Sequence, residues 1–150
     1  MRRVVIAFAA LFLCACGEKP TSMQDLSATE VTLPNGVKIM AQSMRDRVDM
    51  VRGLMFRDSL PPDRGALFFH GLDNNYPYFT YQYKIPVDIV WLDRDERIVE
   101  VVPNVPPCPP GTAASACPAY GGHAKARYVL QLNAGLAAKN DLRVGERLDF

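Results

Sequence analysis

The sequence predicts a mainly β domain, at the margin of the α+β class, that folds as a compact β-sandwich or barrel with one or two short helices. Three observations favour this class: segments of alternating apolar and polar residues are short, turn-forming residues separate them, and they outnumber helical segments. Strands and helices do not alternate regularly, which argues against a parallel-sheet fold. A chain of 150 residues is long enough for one such domain and too short for two of ordinary size.

Residues 30–41 predict a β-hairpin. Val31 and Leu33 alternate with polar residues, and the alternation resumes over residues 37–41. The intervening Pro34-Asn35-Gly36 is typical of a turn, because these residue types favour the backbone angles that a chain reversal needs.

A helix is predicted over residues 44–55. Ser43 and Asp46 have the spacing of a capping box, and Gly53 lies near the expected end of the helix. The apolar residues recur at the spacing of one helix face: Met44, Val48, Val51 and Met55.

The rest of the chain is predicted to consist mainly of strands. Residues 103–124 form a long Pro-rich loop, and residues 134–139 a short helix. The segment 87–92 is the strongest strand, because it is apolar on both faces except at Asp88. The predicted strands are residues 66–69, 78–83, 87–92, 97–102, 128–132 and 146–150.

Residues 1–15 have the pattern of a bacterial lipoprotein signal peptide. Two arginines precede the apolar run Val4–Leu13, which is too short to span a bilayer as a mature helix. The run ends in Leu13-Cys14-Ala15-Cys16, which resembles the lipobox, where the last cysteine is acylated and becomes the mature N-terminus. We expect lipid attachment at Cys16; an ordinary signal peptide with incidental cysteines is the alternative.

Acylation implies a location in the cell envelope, with the lipid bilayer as a partner and the domain facing the periplasm or the exterior. Residues 16–29 are polar and without period, so they are predicted to form the lipidated N-terminus and a flexible tether. The single globular domain then covers residues 30–150. The residue after the acylated cysteine is Gly17 and not Asp. This resembles the sorting pattern that favours the outer membrane in bacteria with two membranes.

The charge balance excludes a protein that holds nucleic acid by bulk electrostatics. The chain has 17 basic and 16 acidic side chains, for a net charge of +1. Loss of residues 1–15 removes two Arg and no acidic residue, which leaves 15 basic and 16 acidic side chains and a net charge of −1. No nucleic-acid partner is therefore expected.

Cys108 and Cys117 are the two cysteines left to pair in the mature chain. An oxidising envelope compartment favours a structural disulfide between them. The spacing does not match the Cys-x-x-Cys of redox proteins, and a zinc site would need two further ligands with only His123 nearby. Neither a metal nor a cofactor is expected.

Several short motifs, taken in order, carry a resemblance to a known family. They are Arg52-Gly53-Leu54-Met55-Phe56-Arg57, Gly65-Ala66-Leu67-Phe68, Ile85-Pro86-Val87-Asp88-Ile89, Tyr128-Val129-Leu130 with Gly135, and Gly145. In this order and spacing the chain resembles, over residues 30–150, the uncharacterised prokaryotic family called domain of unknown function 192. The resemblance implies a compact, mostly β fold, and it brings no established activity, substrate or cofactor.

The chain departs from the family pattern at two places. Where members often carry Trp-Met-x-Asn-Thr, it has Phe79-Thr80-Tyr81-Gln82-Tyr83, and where many carry Glu after Val-Leu, it has Gln131. An amide cannot replace a carboxylate as a base or a metal ligand. If these positions form the family's site, this chain either lacks catalysis or performs it elsewhere.

Asp88 is the most conspicuous single residue, since it lies in the most apolar strand of the sequence. A buried carboxylate needs an ionic partner or several hydrogen bonds, and Arg52 and Arg57 are the natural partners. One interpretation is structural, as an ion pair or as hydrogen bonds that tie loops together. The other is a ligand-binding pocket of carboxylate and guanidinium groups.

An aromatic cluster completes the predicted ligand-binding surface. Four of the six tyrosines and Phe79 lie within eight positions, where exposed rings could stack on sugars or contact a protein partner. A half-buried strand is the alternative. The surface joins this segment to Arg52, Arg57 and Asp88, and its tyrosines are Tyr76, Tyr78, Tyr81 and Tyr83.

The sequence favours a non-catalytic, disulfide-bonded envelope lipoprotein domain that binds an envelope protein or a carbohydrate ligand. It has none of the common hydrolase, phosphate-loop, dinucleotide or zinc-protease motifs, and His70 and His123 lack metal-ligand spacing. No catalytic residue is assigned. The alternative is an envelope hydrolase that acts on carbohydrate or peptide, with Asp88 as acid or base.

Overall fold

The computed structural model describes residues 27–150. The predicted signal peptide, the acylation of Cys16 and most of the predicted tether lie outside the described residues. A short 3₁₀ helix, Ala114–Ala116, lies in the Pro-rich loop. The strands and α-helices, in chain order, are β1 (Ala28–Thr32), β2 (Lys38–Met44), α1 (Arg47–Arg52), β3 (Arg64–Asn74), β4 (Val87–Leu92), β5 (Ile98–Val105), β6 (Ala126–Asn133) and α2 (Leu136–Lys139).

The described strands form one six-stranded sheet in the order β1-β2-β3-β6-β4-β5. The predicted hairpin is confirmed as the antiparallel pair β1–β2, with Val31 opposite Ile39. The pair β2–β3 is parallel, because the chain passes through α1 between the two strands, and all the other pairs are antiparallel. With two short helices beside this sheet, the predicted mainly β class is confirmed.

The C-terminal segment joins the two edge strands of the sheet at one end. Arg147 pairs with Arg97 next to β5, and Asp149 pairs with Thr32 of β1. Leu148 lies between these two bridges and is fully buried. The sheet is therefore barrel-like at this end, although residues 146–150 make single bridges to each edge instead of the predicted strand.

Both faces of the sheet are covered, which explains the uninterrupted apolar run of β4. Val90 and Leu92 lie in a core on the face that α2 covers, together with Leu148. Ile89 and Trp91 lie in a second core on the opposite face. Successive residues of a strand point to opposite faces, so a strand buried on both sides needs apolar residues at every position.

Helix α1 is shorter than the predicted helix over residues 44–55. Met44 is the last residue of β2, where it is buried by the sheet. Asp46 caps the helix by accepting hydrogen bonds from the backbone amides of Val48 and Asp49. The predicted apolar face is wrong for Val48 and Val51, which are 71% and 68% exposed. The helical spacing of Met44 was coincidental, since its burial comes from β2.

The segment 78–83 is a loop, so the predicted strand there is wrong. Only Tyr78 makes a ladder contact, an isolated antiparallel bridge with Tyr120. Gln82 has a φ of 55°, in the left-handed region, and Tyr83 returns a hydrogen bond to the carbonyl of Thr80. A turn of this kind cannot continue as extended strand.

The predicted disulfide between Cys108 and Cys117 is confirmed. It closes part of the Pro-rich loop, and this loop supports the 78–83 segment. The amide of Cys108 donates to the carbonyl of Thr80, and the Thr80 hydroxyl donates to the carbonyl of Pro106. The buried Thr80 is thereby attached twice to the chain that enters the disulfide loop.

Candidate functional site

A groove lies where β3 extends beyond the end of its parallel neighbour β2. The last pair between these strands joins Met44 to Phe68, and β3 continues to Asn74. Helix α1 and the loop of residues 76–79 supply the walls of the groove, whose volume is about 600 Å³. Its lining is mostly apolar and aromatic, and comprises Arg45, Arg47, Met50, Val51, Met55, Phe68, Phe69, His70, Gly71, Tyr76, Pro77, Tyr78, Phe79 and Tyr83. We call this feature the aromatic groove.

Contacts between rings hold the aromatic wall in place. Tyr78 packs edge-on against Phe68, with centroids 5.1 Å apart, and against the buried Trp91 at 6.1 Å. His70 and Tyr76 are stacked with centroids 3.6 Å apart. Edge-on and stacked pairs are favourable arrangements of aromatic rings. The wall is therefore formed before any ligand arrives.

The polar groups of this wall are neutral near pH 7. The Nε2 atom of His70 and the hydroxyl of Tyr78 lie 2.9 Å apart in a hydrogen bond. Burial lowers the pKa of His70 to about 4, because it removes water from the imidazolium. Burial likewise raises the pKa of Tyr78 well above its usual value. This pair therefore adds hydrogen-bonding capacity to the groove without adding charge.

Two arginines stand at the rim of the aromatic groove. The guanidinium of Arg45 lies 3.5 Å from the centroid of the Phe69 ring, in a cation–π contact. Arg47 is the first residue of α1 and is exposed. Within residues 27–150 neither arginine forms an ion pair, and none of the described residues that line the groove is Asp or Glu. The rim is therefore cationic.

The second half of the Pro-rich loop positions the wall of residues 76–79. Trp91 donates from Nε1 to the carbonyl of Tyr76 at 2.8 Å. A Cβ atom on Gly121 would lie 2.3 Å from the Trp91 ring, and one on Gly122 would lie 2.4 Å from the backbone nitrogen of Pro77. Only glycine fits both places, and the Gly-Gly pair is the sequence signal that could have revealed this contact.

Beneath the groove, Tyr83 enters a buried polar network. Its hydroxyl donates to Oε1 of Gln131 at 2.8 Å and accepts from the Leu54 amide at 3.2 Å. A Cβ atom on Gly53 would lie 2.7 Å from that hydroxyl, so glycine permits the approach. Burial raises the pKa of Tyr83, which keeps the network neutral. Gln131 is fully buried, and its Nε2 is the single buried side-chain atom without a hydrogen-bond partner in the described part of the chain.

The two places at which the sequence is expected to depart from the family it resembles thus touch each other. They are Tyr83, which ends the segment 79–83, and Gln131. Both groups are neutral near pH 7, since burial raises the pKa of the Tyr83 hydroxyl and an amide does not titrate. The contact therefore contains no carboxylate.

Asp88 lies on the opposite face of the sheet from Tyr83. Asp88 and Val90 are two residues apart on β4, so their side chains point to the same face of the sheet. That face carries the core to which α2 contributes Leu136 and Ala137. The Oδ1 of Asp88 accepts from the Asn104 amide at 2.8 Å and its Oδ2 from the Ala137 amide at 2.7 Å. The expected pairing with an arginine is wrong, because strand alternation points the carboxylate away from α1. Asp88 instead ties β5 and α2 to β4.

The structure divides the predicted binding surface. Tyr78 and Tyr83 line the aromatic groove, together with Tyr76, whereas Tyr81 lines a separate depression beside Phe56 and the disulfide loop. Arg52 and Arg57 lie in a polar depression that Gln42 also lines, and Arg57 donates to the Gln42 side chain.

The sequence reasoning missed Arg45, Arg47 and His70 as parts of one site. No motif marks them, because they meet only where β2 ends and α1 turns away from β3.

Two features are absent from residues 27–150. No helix there has the length and apolar content to cross a bilayer. No three His, Cys, Asp or Glu side chains in that range converge closely enough to hold a metal ion.

The fold and the site define a mainly β, single-sheet domain with a preformed aromatic groove and a cationic rim. The chain belongs to the DUF192 family, described as "Uncharacterized ACR", whose model matches residues 30–150. The sequence matches no protein of curated function.

Two solved structures share the fold. A protein of unknown function from Novosphingobium aromaticivorans is 23% identical, with a TM-score of 0.68 over 82% of this chain and 84% of the other. A protein from Sinorhizobium meliloti, described as a candidate transcription regulator, is 24% identical, with a TM-score of 0.69 over 80% and 89%. At this level of identity the similarity establishes the fold alone.

Proposed function

We propose that this protein is a non-catalytic binding domain whose ligand is a small, apolar, aromatic molecule held in the aromatic groove. The observation that carries the proposal is the groove itself, with a volume of about 600 Å³ and a mostly apolar, aromatic lining. Ligand sites in proteins typically have volumes of roughly 300–1,000 Å³, apolar walls and few polar groups. The mostly apolar lining favours an aromatic ring over the carbohydrate ligand that the sequence also allows, because a sugar presents many hydroxyl groups.

The placement of the titratable groups supports binding without catalysis. Hydrolysis of a glycoside needs two carboxylic groups on either side of the scissile bond, and the described lining of the groove contains none. Asp88, the candidate acid or base of the alternative hydrolase, is fully buried and accepts two backbone hydrogen bonds. His70 is neutral near pH 7, since burial lowers its pKa to about 4.

We also propose that Cys16 is acylated and anchors the domain to the cell envelope, facing the periplasm or the exterior. The lipobox-like pattern of residues 1–16 supports this, as does the disulfide between Cys108 and Cys117, since disulfides persist in oxidising compartments. Radiolabelled palmitate should enter the wild-type protein and not Cys16→Ala. Equal labelling of both would overturn the anchor.

A neutral fluorescent probe, N-phenyl-1-naphthylamine, tests the groove. Its fluorescence should rise on binding to the wild type. Val51→Glu should weaken binding at least tenfold, because Val51 lines the groove and a carboxylate there adds charge to an apolar surface. Val48→Glu is the matched control: Val48 is on the same helix, equally exposed and outside the lining, so its affinity should stay within twofold.

Failure of the wild type to bind the probe would overturn the proposal, and so would equal losses in Val51→Glu and Val48→Glu. Sedimentation of the wild type without probe measures its oligomeric state, and so tests whether a second copy of the chain fills the groove. A dimer that Val51→Glu converts to monomer would assign the groove to a second copy of the chain and not to a small molecule.

A further inference from the structure

We infer that the ligand of the aromatic groove is an aromatic acid: a planar, apolar ring system with one anionic group, which Arg47 and Arg45 recognise at the rim. This inference rests on the proposed binding function and adds the charge of the ligand. It makes Arg47 and Arg45 the residues that determine specificity.

The rim arginines lack anionic partners within residues 27–150. In the described part of the chain Arg94, Arg127, Arg143 and Arg147 each form an ion pair with a carboxylate. Arg45 and Arg47 form none in that part. Arg52, Arg57 and Arg97 form none there either, but only Arg45 and Arg47 line the aromatic groove. Two unpaired guanidinium groups at one end of an apolar groove favour an anion there.

Two nearby acids, Asp46 and Asp49, lie outside the groove lining. Both line a different depression, which Arg45 also borders. Asp46 is occupied at the start of α1, where its Oδ1 accepts from two backbone amides. The groove side of the rim is therefore left without a competing carboxylate.

No group in the described lining other than the two arginines supplies charge. His70 is uncharged near pH 7, because burial lowers its pKa to about 4, and its Nε2 already bonds to Tyr78. Recognition of an anion thus depends on guanidinium groups, which stay charged at all physiological pH values and match the two oxygens of a carboxylate.

The shape of the site orients such a ligand. Arg45 is held over the Phe69 ring at the rim, and the stacked pair of His70 and Tyr76 lies along the wall. A planar ring can lie against these aromatic side chains while its anionic group points to the rim. A neutral ring would contact the aromatic walls but would form no ion pair with the arginines.

Two probes of nearly equal shape test the inference. 1-Anilinonaphthalene-8-sulfonate has the ring system of N-phenyl-1-naphthylamine plus one sulfonate. We expect the wild type to bind the sulfonate probe about fivefold more tightly, the upper end of the gain from one partly exposed ion pair. Raising the salt concentration about tenfold, from roughly 0.05 to 0.5 M, should reduce the preference for the sulfonate probe, since salt screens exposed charges.

Matched variants locate the charge. Arg47→Gln should remove most of the advantage of the sulfonate probe and leave the neutral probe within twofold. Arg52→Gln removes the same charge from the other end of α1, outside the groove lining, and should change neither affinity. The double variant Arg45→Gln/Arg47→Gln should bind both probes equally.

The outcomes separate the inference from the function on which it rests. Equal affinity of the wild type for the two probes, or an equal effect of Arg47→Gln and Arg52→Gln, would overturn the aromatic acid and leave a neutral ligand in the groove. Binding of neither probe would overturn the proposed function itself. Unchanged circular dichroism and melting temperature establish that each variant is folded.

Discussion

At the scale of single residues, the buried polar side chains of the described chain show what each one does for the fold. Asp88 joins three elements, since it stands on β4 and accepts from one amide in β5 and one in α2. Thr80 holds a loop to the chain entering the disulfide. A buried polar side chain stabilises the fold only when its hydrogen-bond partners are in place. The partners of Asp88 and Thr80 are backbone amides and carbonyls, which only the folded chain brings to them.

Asp88→Asn is expected to destabilise the protein and to leave the aromatic groove unchanged. The amide nitrogen of Asn would face a backbone N–H, so one acceptor is lost and two donors meet, at a cost of about 2 kcal/mol. Urea denaturation measures this loss. Asp58→Asn is the control: its carboxylate is exposed and pairs with Lys84, so its effect should stay below about 0.5 kcal/mol.

A stable Asp88→Asn variant with altered binding of N-phenyl-1-naphthylamine would contradict both the structural role of Asp88 and its place on the opposite face.

His70 makes stability depend on pH in a defined direction. Burial lowers its pKa from 6.5 to about 4, so between these values the unfolded chain binds more protons than the folded one. Stability is therefore fully present above pH 6.5 and falls as the pH decreases towards 4. In His70→Gln the loss of stability between pH 7 and pH 4.5, roughly the two ends of this window, should be smaller than in the wild type.

Nuclear magnetic resonance titration of the imidazole checks the cause. The His70 ring should titrate near pH 4, and the variant His123→Gln assigns the signal, because the chain has two histidines. Titration of His70 near 6.5 would mean that the ring is not held in the aromatic wall.

At the scale of elements, the Pro-rich loop supports the aromatic wall from two sides. The chain before the disulfide holds Thr80, and the chain after it holds Tyr78 through the bridge with Tyr120. The disulfide joins Cys108 to Cys117 between these two attachments. A long loop with little regular secondary structure has many conformations, and the disulfide restricts them in the unfolded as well as the folded chain.

The double variant Cys108→Ser/Cys117→Ser is expected to lose about 2–3 kcal/mol of stability, the value of the chain-entropy model for a loop of this length. Its affinity for N-phenyl-1-naphthylamine should also fall, because the wall at Tyr78 loses support. Ala113→Ser/Ala116→Ser adds two hydroxyls at exposed positions of the same loop and serves as the control. If both double variants bind the probe like the wild type, the loop does not position the wall.

The elements also show which features of the fold the sequence could predict. Strand β4 was predicted at its observed bounds, Val87–Leu92, because burial on both faces requires an apolar residue at every position. The predicted helix is longer than the observed one. Met44 is buried as part of β2, and its helical spacing from Val48 is a coincidence. The tyrosines of residues 78–83 have strand propensity, and the turn at Gln82 overrides it.

At the scale of the whole molecule, the C-terminal segment closes one end of the sheet. The edge strands β1 and β5 are farthest apart in the strand order, and each bonds to residues near the C-terminus. Leu148 belongs to the same core cluster as Val31 of β1 and Ile98 of β5. At this end of the sheet the two bridges pair backbone groups of the edge strands that would otherwise be unpaired.

Leu148→Ala should therefore destabilise the molecule by about 2–4 kcal/mol, the usual cost of truncating a fully buried leucine. Urea denaturation monitored by the fluorescence of the single tryptophan, Trp91, measures it. Val144→Ala, at a 67% exposed position a few residues earlier, should change stability by less than about 0.5 kcal/mol. Similar losses in both variants would mean that the segment is not part of the core.

The sequence by itself determined the mainly β class, the pairing of Cys108 with Cys117 and the membership in the family over residues 30–150. These properties follow from local patterns: alternation, turn residues, cysteine number and short motifs. The aromatic groove and the position of Asp88 were decided by the tertiary structure. The alternation of apolar and polar residues predicts which side chains share one face of a strand. It does not predict which other strand pairs with that strand or which element covers that face. The parallel pairing of β2 with β3 leaves the end of β3 uncovered, and there His70, Tyr78 and Arg47 come together.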